Sequence, residues 1–277
     1  MSQSRELQLH IAQLEEIRSI LNSMKNLARI EIHKLARFQT MQGQAVASIE
    51  QAALDFLNFY PIPAGDDKAA HYCILLGAER GFCGNFNESL INAIAAQTYT
   101  GIIAVGSRLG NRLADNTPKV ISAMAGANVA EEVPAVIHRL LDAFSNLPED
   151  KSTSAVTALQ LTVVYHDAVA NQINHRQILP PFPLQTMAKP HAGNPPVLNL
   201  EPAVFFADLT GHYLFAVLYE IFYISLMAEN HQRLQHLEGA VKHLDDETVN
   251  LRRKSQIYRQ EEITEEIEVI LLNSEIN

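Results

Sequence analysis

The fold class this sequence predicts is α/β, with a small Rossmann-like domain inserted between two long helices that pair as an antiparallel coiled coil. Three observations predict it. Residues 4–58 contain no proline and one glycine, Gly43, and repeat apolar residues every seven positions. Between residues 72 and 179 short apolar runs alternate with helical periods. Residues 203–277 again lack proline, and their apolar residues recur three and four apart. The predicted boundaries are an N-terminal coiled-coil helix over 1–60, the α/β domain over 61–200 and a C-terminal coiled-coil helix over 201–277.

In the first helix Leu7, Leu14, Leu21, Ala28, Leu35, Gln42, Ile49 and Phe56 share one heptad position. His10, Ile17, Met24, Glu31, Phe38, Ala45 and Ala52 share its companion. Only Gln42, His10 and Glu31 in these two rows are polar, and a heptad sustained that far predicts a coiled coil. His10 reads as a tolerated irregularity in the seam. Pro61, Pro63 and Gly65 break the helix, and Asp66-Asp67-Lys68 reads as a solvated turn.

The pattern then changes. Tyr72–Leu76 reads as a buried strand, and Gly77–Asn87 (GAERGFCGNFN) as a strand-to-helix loop. Asn85 and Glu88 have the spacing of a capping box, with the helix running on through Ile94 and Gln97. Ile102–Val105 reads as a second strand, followed by Gly106-Ser107 and a short helix to Leu113. Val120-Ile121 is a weaker strand, and residues 131–144 have helical period. Leu159–Tyr165 and Gln177–Leu179 complete a largely parallel sheet. Pro180, Pro181 and Pro183 close the domain, and residues 189–196 read as a surface loop.

Pro202 opens the last helix, as suits its preference for the first turn. The predicted seam is Leu209, Tyr213, Ala216, Tyr223, Met227, Leu234, Leu237, Val241, Leu244, Leu251 and Tyr258. At ~1.5 Å per residue such a helix runs to roughly 100 Å, too long to be buried by a domain of this size alone. His231, His236 and His243 do not form an i, i+4 metal pair and read as a solvated face.

The formal net charge of −10 is unevenly spread. Residues 1–58 carry six basic and six acidic groups, residues 59–202 nine and twelve, and residues 203–277 six and thirteen. The acidic last segment argues against nucleic acid as the main partner. No signal-peptide pattern is expected where Arg5, Glu6, Glu15 and Glu16 stand. The most apolar window, 213–228, is interrupted by Glu220, so a soluble or membrane-peripheral protein is expected. Cys73 and Cys83 have no metal or redox spacing and read as reduced, small apolar residues.

Four stretches together resemble a known family. GAERGFCGNFN is similar to a G-[ST]-[DE]-R-G-L-C-G-x-[FL]-N segment, matching at Gly77, Glu79, Arg80, Gly81, Cys83, Gly84, Phe86 and Asn87. Residues 105–108 (VGSR) resemble an I-G-S-[KR] turn, and Glu201-Pro202 an E-P opening of the last helix. Residues 259–267 (RQEEITEEI) resemble a closing R-Q-x-x-I-T-x-E-[IL]. With the helix–domain–helix order, the chain resembles the γ subunit of rotary F-type ATP synthases, the central stalk of the F1 sector. The family's basic K-I-T-x-A-M run aligns with residues 19–24, where only Ile20 and Met24 match. Family members are usually basic as well, so a divergent member is implied, such as an alternative or ion-specialised form.

The resemblance implies a mechanical role. The paired helices would turn inside three α and three β subunits, which hold the nucleotides. The α/β domain would sit on a membrane c-ring with an ε subunit. It implies contacts with the α/β ring at Met24, Arg233, Arg259, Gln260 and Thr264, and a docking loop of Gly77, Arg80, Gly81, Cys83, Gly84, Phe86 and Asn87. It implies no catalytic residue, metal or cofactor of the chain's own, and no cysteine-bearing redox insert. In the family the basic shaft faces an acidic loop at the base of each β subunit. Without a transit-peptide pattern, a peripheral position on the cytoplasmic face of a bacterial inner membrane is expected.

Two other readings stay open on the residues alone. The glycine-rich loop links a strand to a helix and could cradle phosphate in a nucleotide-binding enzyme. It lacks the G-K-[ST] ending of a P-loop and the G-x-G-x-x-G spacing of a dinucleotide fold, so tight turning and close packing are the expected uses of its glycines. The chain could also be a non-enzymatic coiled-coil adaptor that displays an α/β domain. Stable complexes lacking α or β partners would favour the adaptor, and ATP or NADH binding by the lone chain would favour the enzyme.

Overall fold

The computed structural model describes residues 3–61, 70–95, 97–113, 120–145, 159–168, 170, 172–182, 195 and 197–275. In chain order these form α1 (Gln3–Leu57), β1 (Ala70–Leu76), α2 (Phe86–Ile94), β2 (Gly101–Val105), α3 (Ser107–Leu113) and β3 (Val120–Met124). A 3-10 turn (Ala130–Glu132) follows, then α4 (Val133–Ser145), β4 (Leu159–Asp167), β5 (Gln172–Leu179) and α5 (Pro202–Glu275). The expected turn at Asp66–Lys68 and all of the 189–196 loop except Pro195 lie outside the described residues. The chain divides into two compact units, Met1–Arg29 with Arg233–Asn277, and Ile30–Gln232.

The first unit pairs the start of α1 with the end of α5. Leu21, Leu237 and Val241 are buried together, with Met24, Ala240 and Leu244 packed around them. Arg29 pairs with Glu238 at 2.6 Å, and Arg18 with Asp245 and Arg252 with Glu15 in further ion pairs. The α5 partner moves forward as the α1 partner moves back, which makes the pairing antiparallel. These pairs are about half exposed, so each adds at most ~1 kcal/mol; their value is in fixing register. Further along α5 the buried residues are Thr248 and Ser255 rather than Leu251 and Tyr258. Tyr258 is exposed, so the predicted seam ends one turn early. Beyond it Ile257, Ile263, Ile267 and Ile270 are all exposed.

The second unit is built on a five-stranded sheet of order β3-β2-β1-β4-β5. β1, β2, β3 and β4 are mutually parallel, and β5 returns antiparallel to β4. β1 is buried from Tyr72 to Leu76, as a central strand covered on both faces must be. On one face Ile74, Leu76, Ile103 and Val163 pack with Val136, Ile137 and Leu140 of α4, with Leu35, Val46 and Phe56 of α1, and with Ile221 of α5. On the other, Cys73, Leu75, Ala104 and Val164 meet Phe86, Leu90, Leu109 and Leu113 of α2 and α3. All ten residues 221–230 of α5 are buried, which explains a stretch apolar on every side. One window of α5 is apolar enough to cross a membrane by composition, and 67% of it is buried inside the protein.

Several expectations need correction. The heptad holds from Leu14 through Leu21 and Ala28 to Leu35, but the next buried residues are Val46 and Ala53, not Gln42 and Ile49. The step from 35 to 46 is eleven residues, a four-residue shift of register that relaxes the supercoil where α1 meets the sheet. The companion row is not a second seam: His10, Ile17, Ala45 and Ala52 are exposed. The Asn85 side chain makes no capping bond, because its backbone is not extended as a capping residue's must be. α2 ends at Ile94, short of Gln97. β3 extends to Met124, and β5 begins five residues earlier than expected, at Gln172.

Candidate functional site

The loop between β1 and α2 is built from close backbone contacts. A Cβ on Gly77 would lie 2.5 Å from the Leu109 Cβ and 2.8 Å from the Asn87 side-chain oxygen. Gly77 donates its N–H to Val105 at 2.8 Å, and Ala78 donates to Asn87 Oδ1 at 2.8 Å. Gly106 holds φ +118°, and a Cβ there would sit 2.6 Å from the Gly77 carbonyl oxygen. Only glycine fits that crossing, because both the angle and the space exclude a side chain.

Glu79 locks the loop to its neighbours. Its carboxylate accepts from the Ser107 hydroxyl at 2.7 Å, the Ser107 N–H at 2.8 Å and the Gly126 N–H at 2.7 Å. Burial works against its ionisation, but these three bonds and the charge of Arg139 outweigh it, holding the carboxyl below its ordinary value. The loop thus joins the ends of β1, β2 and β3.

The structure divides the predicted docking residues. Cys83, Phe86 and Asn87 are buried, and Gly77 and Gly81 partly so. The Cys83 thiol lies 3.4 Å from the Gly81 carbonyl and 3.5 Å from that of Arg80. Arg80 and Gly84 are exposed, as is Phe82, which holds φ +63°. Behind the loop stands Glu229 of α5, buried and accepting from the Arg80 N–H at 3.5 Å. Sequence reasoning passed over Glu229. Its signal was a carboxylate directly after the apolar run, where no charge belongs without a partner.

Open α/β sheets bind ligands at the carboxyl ends of their strands. Here Phe222, Ser225, Leu226 and Glu229 of α5 share a small cleft there with Leu76, Gly77, Val105 and Gly126. The N–H groups of Ser107 and Gly126 that could face a phosphate are already bonded to Glu79. A nucleotide would have to displace both a carboxylate and a helix. Among the described residues no group of three His, Cys, Asp or Glu side chains is placed to hold a metal ion.

The remaining predicted positions lie on the helices. Met24 is half-buried against the Leu21–Leu237–Val241 cluster, and Arg233 is buried. Arg259, Gln260 and Thr264 are exposed on one stretch of α5. The Thr264 hydroxyl donates to the Gln260 carbonyl at 2.8 Å, so its own helix already uses that proton. His231, His236 and His243 are exposed.

Comparison with known proteins agrees with this architecture. A family model described as ATP synthase matches residues 3–273. The ATP synthase gamma chain of Paramagnetospirillum magneticum is 23% identical over 310 residues, spanning 99% of this chain and 99% of that one. A chain of the Euglena gracilis mitochondrial ATP synthase rotor superposes with a TM-score of 0.64 at 13% identity, covering 94% of this chain and 98% of that one. A chain from the OSCP/F1/c-ring structure of the same enzyme gives 0.66 at 13% identity, covering 98% and 93%. At such identities the structural likeness concerns the fold.

Proposed function

Because the chain belongs to the ATP synthase γ-subunit family, we propose that it is the central-stalk rotor that couples ion flow through a membrane ring to ATP synthesis or hydrolysis. A γ subunit is a non-catalytic part of the enzyme, and the chemistry takes place on other chains. The observation that carries the reading is a family match running from residue 3 to residue 273, across both long helices and the domain between them.

The proposed partners are three α and three β subunits around the paired helices, with an ε subunit and the c-ring at the α/β domain. Residues 1–60, 61–200 and 201–277 are the proposed working parts. The complex would be peripheral, on the cytoplasmic face of a bacterial inner membrane. Met24, Arg233, Arg259, Gln260 and Thr264 are proposed to meet the α/β ring. Exposure favours Arg259 and Gln260 as direct contacts, whereas Met24 is half-buried in the helix pairing and Arg233 is buried. In the 77–87 loop the exposed Arg80 and Gly84 would touch a partner, while Gly77, Gly81, Cys83, Phe86 and Asn87 hold its shape.

A rotor needs a stiff shaft, an asymmetric surface and contacts weak enough to break at each step. The antiparallel helices supply stiffness, and exposed polar contacts of at most ~1 kcal/mol each suit repeated rupture. The test is co-expression with its own α and β subunits, followed by observation of ATP-driven rotation of a probe on this chain. Rotation in steps is expected. A complex that hydrolyses ATP at full rate without this chain turning would defeat the proposal.

A further inference from the structure

We propose that Arg176 is a clamp through which turning force passes between the sheet and the two long helices, an inference that rests on the rotor reading above. Arg176 lies on β5, the edge strand. Its Nη1 donates to Glu220 of α5 at 2.6 Å, and its Nη2 to Glu50 of α1 at 3.1 Å. One guanidinium therefore holds three elements.

The surroundings are shaped for this clamp. Gly43 is the single glycine of α1, and a Cβ there would come within 3.3 Å of the Glu220 carboxylate. Glycine in a helix interior costs about 1 kcal/mol relative to alanine. At this position it makes room for the charged group. Next to it, Gln42 donates to the Ala216 carbonyl at 3.0 Å, one turn of α5 before Glu220.

Apolar packing resists separation and, through interlocked side chains, sliding, but the attraction itself has no direction. A planar fork held by carboxylates from two different elements fixes orientation as well. A second clamp works with it. Glu31 of α1, itself buried, accepts from the Ala130 N–H at 2.6 Å, and Lys34 bridges Glu31 and Glu131. Along α1, residues 34 and 50 are roughly 24 Å apart at the helical rise. One anchor alone would be a pivot, whereas two at that spacing fix an angle. Stability is not the natural purpose of such a group, since partly buried ion pairs seldom gain over apolar replacements.

The test uses the complex with its own α and β subunits, immobilised, with a probe on the α/β domain. Arg176→Met combined with Glu220→Gln removes the clamp without leaving the largely buried Glu220 carboxylate charged, and the Glu50 carboxylate that loses its partner is 43% exposed to solvent. Arg176→Lys keeps the charge and loses the fork. Thermal angular variance at each dwell should rise clearly above the wild-type value in the double variant, because the one anchor left acts as a pivot. Arg176→Lys should fall between the double variant and the wild type, and ATP hydrolysis should hold its rate. Wild-type variance in the double variant overturns the clamp. If the double variant does not assemble, wild-type variance in Arg176→Lys overturns it equally. Absence of rotation in the wild-type complex would instead refute the rotor reading.

Discussion

Glu79 is one of the matched motif positions, and its geometry gives it a structural duty that can be measured. Glu79→Ala removes three accepted bonds and should cost about 1–3 kcal/mol of stability at pH 7. The folded carboxyl titrates below its unfolded value of about 4.3. Its contribution is therefore complete above that value and is lost as pH falls through the folded one. The gap between thermal melts of wild type and variant should narrow progressively as pH falls below the unfolded carboxyl value. A gap that stays constant down to pH 3.5 would show that the carboxylate charge contributes nothing. The glycines separate in the same way. Gly106→Ala should destabilise by at least the ~1–3 kcal/mol of backbone strain, because the new Cβ also meets the Gly77 carbonyl. Gly211 and Gly239, inside α5, have nothing within 4 Å of an added Cβ. Alanine at either should stabilise the helix by ~1 kcal/mol. Equal effects at Gly106 and Gly211 in unfolding measurements would contradict this reading.

At the scale of elements, the end of α5 is the place to test contact with a surrounding ring. Changing Arg259, Gln260 and Thr264 together to alanine keeps the helix, since alanine has the best helix propensity. The α/β domain should remain folded by circular dichroism while ATP-driven rotation weakens. Most of the loss should follow Arg259 and Gln260, because the Thr264 proton is already used within the helix. Normal rotation and coupled synthesis in the triple variant would rule out this face. Elements were legible in the sequence where burial is one-sided and local. Leu14, Leu21, Ala28 and Leu35 announce α1, and Tyr72–Leu76 announces β1. The first half of β5 was not legible, because an edge strand carrying Gln172, Asn174, His175 and Arg176 has no apolar alternation. Neither was the purpose of Glu31. A carboxylate in a heptad seam looks like an error until Ala130, a hundred residues away, supplies its donor. The glycine motif identified the loop, but which of its residues turn inward depends on α3 and α5, and no local pattern encodes that.

For the whole molecule, the first expectation concerns nucleotides. The purified chain should neither hydrolyse ATP nor bind it with micromolar affinity. Glu79 and α5 occupy the strand ends where a phosphate would lie. Saturable binding in calorimetry would overturn this and revive the enzyme reading. The lone chain should also aggregate readily, because Leu27, Ile30, Ile263, Ile267 and Ile270 expose large apolar side chains.

Charge sets the last expectation, that this rotor is matched to its own ring and substitutes poorly in a conventional one. Ser19–Ser23 carries no charge where the resembling family is usually basic. Along α5 the acids Glu238 and Asp245 are met by Arg29 and Arg18. Glu261, Glu262, Glu265, Glu266 and Glu268 form no ion pair among the described residues, and all but the partly exposed Glu262 are exposed. In a conventional complex this acidic end and the uncharged Ser19–Ser23 stretch would replace a basic shaft opposite acidic β-subunit loops. Each exposed pair is worth ~1 kcal/mol or less, but several together in a narrow bore would cost a few times that. Screening with a Debye length near 10 Å at 0.1 M salt should relieve part of the cost. Reconstitution with conventional α and β subunits should therefore give weak assembly at low salt that improves as salt rises. Its own β subunits should carry fewer acidic or more basic residues on the facing loop. Full assembly and coupled activity at low salt, indifferent to added salt, would show that the acidic end of α5 has no part in choosing its ring.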